Sequence, residues 1–180
     1  MSAFVVAIVG AESTGKTTLA RALGAALAAR AVRVAVVDEV LREFCASAGR
    51  TPREEEQAAI AALQSERIDA ATASADVVVA DTSALMIAVY SELVFGDTGL
   101  YAEALARQRR YGLTLVTALD LPWQADGLQR DGAHVRGPVD ALLRGALVRA
   151  GIAFTTVAGQ GAARTAAALH AIDAALASRA

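Results

Sequence analysis

The sequence predicts a three-layer α/β fold: a five-stranded parallel sheet with helices on both faces. Three observations carry this. Short runs of apolar, mostly β-branched residues recur along the 180 residues, and alanine- and leucine-rich stretches of helical length alternate with them. The first run feeds directly into a glycine-bounded loop that opens a helix. No repeat, proline- or serine-rich linker or long run of one charge divides the chain, so one domain over residues 1–180 is expected.

Phe4 to Val9 is continuously apolar, as a parallel strand buried on both faces must be. A helix opens at Thr17 and extends to about Arg30, built from strong helix formers. Val32 to Val37 reads as the second strand and ends at the acidic pair Asp38-Glu39. Thr51-Pro52-Arg53-Glu54-Glu55 supplies an N-cap, a first-turn proline and acidic residues that favour a helix dipole, starting a helix that reaches about Ala73. Val77 to Ala80 forms the third strand and delivers Asp81-Thr82. Helices near Leu85 to Phe95 and Tyr101 to Arg110 lead to a fourth strand at Leu113 to Leu119. Pro122 to Gly137, rich in Asp, Gly and Arg, reads as a mobile lid loop. A helix at Pro138 to Arg149, a strand at Ala153 to Val157 and a helix from about Ala162 to Ala177 complete the pattern.

The loop after the first strand carries the chemistry. Gly10-Ala11-Glu12-Ser13-Thr14-Gly15-Lys16-Thr17 matches the phosphate-binding pattern G-x-x-x-x-G-K-[ST] in full, in the required order of strand, loop and helix. This is the signature of a P-loop NTPase. Lys16 is the only lysine, while sixteen arginines carry every other basic charge. A compact ammonium on a flexible stem suits a β,γ-phosphate contact better than a planar fork does. Gly10, Ala11, Glu12, Ser13, Thr14, Gly15, Lys16, Thr17 and Thr18 are therefore the candidate ATP-binding residues, with backbone N–H groups and a helix N-terminus forming an anion cradle.

Thr17 and Asp81 are the candidate ligands of the magnesium ion that accompanies ATP, since a carboxylate ending a neighbouring strand is where such proteins hold the metal. Asp81 would serve equally as a helix cap. The next residue is Thr82 rather than a second carboxylate, which favours a kinase over a water-activating ATPase. Asp38 and Glu39 are candidates to bind or deprotonate a substrate hydroxyl, and Glu39 could instead pair with Arg42. Arg130 and Arg136 lie in the lid loop, placed to neutralise charge developing on the γ-phosphate or simply solvated there. Trp123, near the end of the fourth strand, could stack on a flat ring or pack on its own loop. No Asn-Lys-x-Asp marks guanine specificity; Thr117-Ala118-Leu119-Asp120 stands there, so ATP is the expected nucleotide.

Composition excludes several classes. Mean hydropathy is +0.41, yet no uncharged apolar stretch of about 18 residues occurs, so no membrane span is expected. A first strand at Phe4 leaves no room for a signal peptide, and a cytoplasmic protein is expected. Net charge −2 argues against a general nucleic-acid binder. A single cysteine, Cys45, excludes an internal disulfide, and His134 and His170 lack metal-ligand spacing.

Gly10 to Leu19, Glu39-Val-Leu-Arg42-Glu-Phe44, Ile60-Ala-Ala-Leu-Gln64, Asp81-Thr82 and Asp120-Leu-Pro-Trp123-Gln-Ala-Asp126-Gly127 together resemble the nicotinamide riboside kinase domain of NadR-type NAD-biosynthesis proteins, of the AAA-type ATPase and kinase family. The resemblance runs from about Val5 to Ala175. It implies ATP-dependent phosphorylation of the 5′-hydroxyl of nicotinamide riboside, giving nicotinamide mononucleotide. It places Glu39, Arg42, Gln64, Trp123 and Asp126 on the substrate side and an arginine after Asp126 in the lid. The family often reads Asp-Gly-Leu-Arg, whereas this chain reads Asp126-Gly127-Leu128-Gln129-Arg130, so that arginine is displaced by one residue or replaced by Arg136. A kinase for another nucleoside or small alcohol, and a nucleotide-dependent regulatory ATPase with a protein partner, are the competing readings.

Overall fold

The computed structural model describes residues 3–124 and 132–179. Five strands, β1 (Phe4–Val9), β2 (Val34–Val37), β3 (Val77–Asp81), β4 (Leu113–Thr117) and β5 (Thr155–Val157), form one sheet in the order β2-β3-β1-β4-β5. Every pairing is parallel, so all five C-terminal ends lie along one sheet edge, where open α/β sheets bind ligands.

Seven α-helices cover the two faces among the described residues: α1 (Lys16–Ala29), α2 (Val40–Ala48), α3 (Glu54–Ala71), α4 (Ala84–Phe95), α5 (Tyr101–Gln108), α6 (Arg136–Arg149) and α7 (Gly161–Ala177). The alternation of β1 divides the core. Phe4, Val6 and Ile8 pack with Leu19, Leu23 and Leu27 of α1 and with Ala168 and Ile172 of α7. On the opposite face Val9 joins Leu85 to Val89 of α4 and Val139, Leu143 and Leu147 of α6. Val5 packs on that side with Val78 and Ile68 of α3. Because β1 is the strand from which the helical layers diverge, the loop that leaves it opens at the switch point of the sheet. None of the described helices is long and apolar enough to cross a membrane.

Several boundaries differ from the sequence expectations. Helix α2 is not anticipated, because it follows β2 after only Asp38 and Glu39 with no capping side chain to mark its start; Gly49 ends it in the left-handed region at φ 67°. Helix α3 starts at Glu54, with Thr51 and Pro52 outside it. The cause is the Glu56 carboxylate, which accepts hydrogen bonds from the Arg50 guanidinium at 2.7 Å and from the Arg53 N–H at 2.7 Å. Arg50 first, then the Arg53 amide, pull the Glu56 carboxyl down to about 2. Helix α6 begins at Arg136, preceded by a 3₁₀ turn at Ala133–Val135, so Arg136 belongs to a helix and not to the loop. Asp126 and Arg130 lie outside the described residues.

Leu115, fully buried in the central layer on β4, should be a large contributor to stability. Leu115→Ala is expected to cost about 2–5 kcal/mol, read as a lowered midpoint in chemical denaturation.

Candidate active site

The phosphate loop is held in shape by its own groups. Gly10 has φ 152°, and a Cβ there would overlap Thr117 Oγ1 at the end of β4. Gly15 turns at φ 76° immediately before α1, a conformation that a side chain disfavours. Thr14, fully buried, donates from Oγ1 to the Ala11 carbonyl at 2.6 Å and lies 2.7 Å from Thr117 Oγ1, which reaches the Val9 carbonyl at 3.3 Å. Its side chain therefore braces the loop, leaving its backbone as the only ligand-facing candidate. Lys16 Nζ donates to the Ala11 carbonyl at 2.9 Å. No side chain caps α1, so its first-turn N–H groups, following the glycine turn, suit an anion. Thr18, one residue beyond Thr17, is exposed.

Parallel pairing of β1 with β3 sets Asp81 beside Ile8, two residues before Gly10. The Thr17 hydroxyl is close enough to the Asp81 carboxyl to favour its ionised form. Burial pushes the Asp81 carboxyl upward, opposed by that hydroxyl and by the charges of Lys16 and Arg42. Asp81 Oδ1 is buried with no hydrogen-bond partner among the described residues. A buried, unsatisfied carboxylate oxygen next to a threonine hydroxyl and a phosphate loop fits the hard oxygen donors that magnesium requires.

Glu39 sits at the N-cap of α2. Its carboxyl is pushed up by burial; Lys16 pulls it down, Asp81 pushes it further up, and Arg42, whose Nε lies 3.5 Å from Glu39 Oε2, pulls it down. One ammonium thus serves two carboxylates, Asp81 buried and Glu39 partly buried. Asp38, the alternative base, is exposed on the outer side of this turn, because adjacent residues of an extended chain point to opposite faces; it does not line the cleft.

The loop opens into a cleft of about 550 Å³. Gly10, Glu12 and Lys16 form its floor, α2 contributes Leu41, Arg42 and Cys45, and α4 contributes Met86, Ile87 and Tyr90. Thr51, Pro52 and Arg53, together with Glu54, Glu55 and Gln57 from the start of α3, form the rim. Glu12 is buried at 7% exposure, with its carboxylate on the cleft side of the loop. Thr82, directly after Asp81, lines the same cleft with φ 86°, a strained conformation for a β-branched residue that costs about 1–3 kcal/mol.

Three expected substrate-side or catalytic residues lie elsewhere. Gln64 is fully buried; Oε1 accepts from the Val40 N–H at 2.9 Å and Nε2 donates to the Asp38 carbonyl at 3.4 Å. It fixes the turn that carries Glu39 and does not line the cleft. Arg136 is buried at the start of α6, away from the cleft lining. Trp123 is half-buried and also off the cleft, while its neighbour Gln124 is tied to the phosphate loop, with its N–H donating to Ser13 Oγ at 2.8 Å. Ser13 Oγ donates back to the Gln124 carbonyl at 3.1 Å. Gln57 also lines the cleft, a position that depends on how α3 packs and that no sequence motif marks.

Two outcomes test this geometry. Gln64→Leu is expected to lose about 1–3 kcal/mol in chemical denaturation, because it leaves the Val40 N–H buried and unpaired. For Glu39, the raised carboxyl means the folded chain binds its proton more tightly than the unfolded chain does. The resulting penalty is present above the folded pKa and fades as pH falls into the ordinary carboxylate range. Glu39→Gln should therefore raise the ligand-free thermal midpoint at pH 8, with the gain shrinking toward pH 4.5, the ordinary glutamate value.

No curated protein matches the sequence. Among solved structures the fold is similar to NadR in complex with NAD and AMP-PNP, with TM-score 0.75 and 21% identity over 94% of this chain and 48% of that one. It is similar to NadR in complex with NR, with TM-score 0.74 and 23% identity over 96% of this chain and 50% of that one. It is also similar to thymidylate kinase from Ehrlichia chaffeensis, with TM-score 0.64 and 13% identity over 89% of each chain. The chain spans about half the length of the NadR chains it matches. The architecture is the three-layer P-loop NTPase fold that these structures share. A family model described as an AAA domain matches residues 5–164, and the chain belongs to that family of P-loop proteins.

Proposed function

We propose that this protein is an ATP-dependent small-molecule kinase that phosphorylates the 5′-hydroxyl of nicotinamide riboside, giving nicotinamide mononucleotide. The observation that carries the reading is the junction itself: the phosphate loop opens into a walled cleft with Glu39 where the two meet. A site of that form suits transfer to a small acceptor, whereas a hydrolytic switch needs only an activated water. Similarity to NadR structures containing NR and AMP-PNP supports the choice of acceptor and nucleotide.

The chain's residues then divide the work. Loop N–H groups and Lys16 would hold the β- and γ-phosphates, with the ammonium exchanging the Ala11 carbonyl for phosphate oxygen. Thr17 and Asp81 would hold magnesium, which neutralises phosphate charge when bound. Glu39 would accept the acceptor's hydroxyl proton on a carboxylate oxygen as the new O–P bond forms and the γ-phosphoryl leaves ADP. Its raised carboxyl suits a general base better than an ordinary glutamate would. Arg42 orients that carboxylate.

The cleft also suits the acceptor's charge. Among the described residues, Glu12, Glu39, Glu54 and Glu55 oppose Lys16, Arg42 and Arg53 along its lining, four acidic side chains against three basic ones. With Asp81 behind them, they favour a cationic pyridinium ring, for which Tyr90, Met86 and Ile87 offer an apolar wall. The similarity to thymidylate kinase supports a second reading, the same chemistry on another nucleoside-class acceptor.

ADP and mononucleotide formation with Mg-ATP is the test. ADP release that requires nicotinamide riboside, with equal mononucleotide formed, is expected; release that ignores every acceptor would contradict the proposal. Lys16→Ala should lower transfer by about 10²–10³-fold in a folded protein. Glu39→Gln should lower kcat by about 10²–10⁴-fold while ATP affinity persists.

A further inference from the structure

Helix α3 carries two buried glutamines seven residues apart, Gln57 and Gln64, which a helical period places on one face. Their surroundings differ. Gln64 has both ends of its amide on backbone groups at the start of α2. Gln57 is 5% exposed and lines the cleft, and its Oε1 is buried with no hydrogen-bond partner among the described residues. A buried amide oxygen without a donor destabilises the fold, and a protein keeps such a group where a ligand completes it. An amide oxygen only accepts, so its partner must donate. Thr82 Oγ1 is a second buried, unpartnered polar atom on the cleft, but a hydroxyl both donates and accepts and does not define its partner.

We infer that Gln57 determines acceptor specificity by taking, at Oε1, a hydrogen bond from an N–H or O–H group of the acceptor other than the hydroxyl that receives phosphate. This rests on the kinase reading and adds the chemistry of the substrate: a molecule with at least one donor beyond its reacting hydroxyl. An amide and a sugar hydroxyl both meet that requirement, and the cleft's acidic lining, with Glu54 and Glu55 in the same helical turn, disfavours a carboxylate there. A site built around a buried hydrogen bond rejects an analogue that lacks the donor far more strongly than an apolar pocket rejects a missing methylene.

Gln57→Met, which keeps length and helix propensity but removes the oxygen, tests the assignment. Acceptor and ATP KM, and kcat, are measured for wild type and variant with nicotinamide riboside, its 2′-deoxy and 3′-deoxy forms and nicotinic acid riboside; thermal midpoints are recorded without ligand. The acceptor KM of the variant should rise about tenfold or more with the KM for ATP unchanged. One donor-deleted analogue should be penalised by that factor on wild type and not on the variant, and its identity names the donor. The ligand-free midpoint should hold or rise, since an unpaired buried oxygen has gone. An acceptor KM within about twofold of wild type, analogue penalties that all persist in the variant, or a lowered ligand-free midpoint would overturn the role of Gln57. If wild type itself shows no acceptor-dependent ADP release with any nucleoside, the kinase reading fails and this inference falls with it; if another nucleoside is the acceptor, the same comparison runs on its deoxy forms.

Discussion

Two carboxylates, one buried and one partly buried, within the field of one ammonium set the terms for the rest of the site. Asp81 and Glu39 repel one another, burial raises both, and Lys16 is the shared counter-charge, with Arg42 assisting. Such an arrangement persists only if strong packing holds the groups in place. Each is delivered by a different rigid element: Asp81 by β3 in parallel register with β1, Lys16 by the first turn of α1, and Glu39 by the turn into α2. Gln64 then fixes that turn through two backbone hydrogen bonds, so a residue away from the cleft decides where the Glu39 carboxylate stands.

Strain and unsatisfied polar atoms concentrate along the same sheet edge. Ser13 at φ 56° and Thr82 at φ 86° are non-glycine residues in the left-handed region, and both line the cleft. Asp81 Oδ1, Gln57 Oε1 and Thr82 Oγ1 are buried without partners among the described residues. On one face of the sheet β1, α1 and α7 enclose a layer of buried aliphatic side chains, although Ala31 just past α1, at φ 61°, and the buried Arg164 Nε of α7 show that strain and unpartnered atoms are not confined to the cleft. The division matches the general exchange of stability for a preorganised site, with the core offsetting the cost at the edge.

How much of this the sequence disclosed depends on the range of the interactions involved. The five strands and most helices are legible because each rests on local periodicity, and the phosphate loop because its glycines and Lys16 are contiguous. Asp81 and Glu39 are legible because strand ends point to a known edge. Helix α2 starts straight off β2 with no capping side chain to mark it, and Arg136 moved from loop to helix because Pro138, taken as the start, stands two residues inside it. Gln57 and Gln64 share a residue type and a helix face; only tertiary packing assigns one to the cleft and the other to the α2 turn. Asp38 and Glu39 likewise differ only in which side of the backbone they occupy.

The central claim is that loop and cleft are one site, joined at Glu39. The most direct test is a crystal structure of the protein with a non-hydrolysable ATP analogue, magnesium and nicotinamide riboside. Triphosphate is expected on the loop at Lys16 and the riboside in the cleft, with its 5′-hydroxyl hydrogen-bonded to Glu39 and aimed at the terminal phosphate. A riboside bound outside the cleft, or seated there with its 5′-hydroxyl turned away from Glu39, would contradict it.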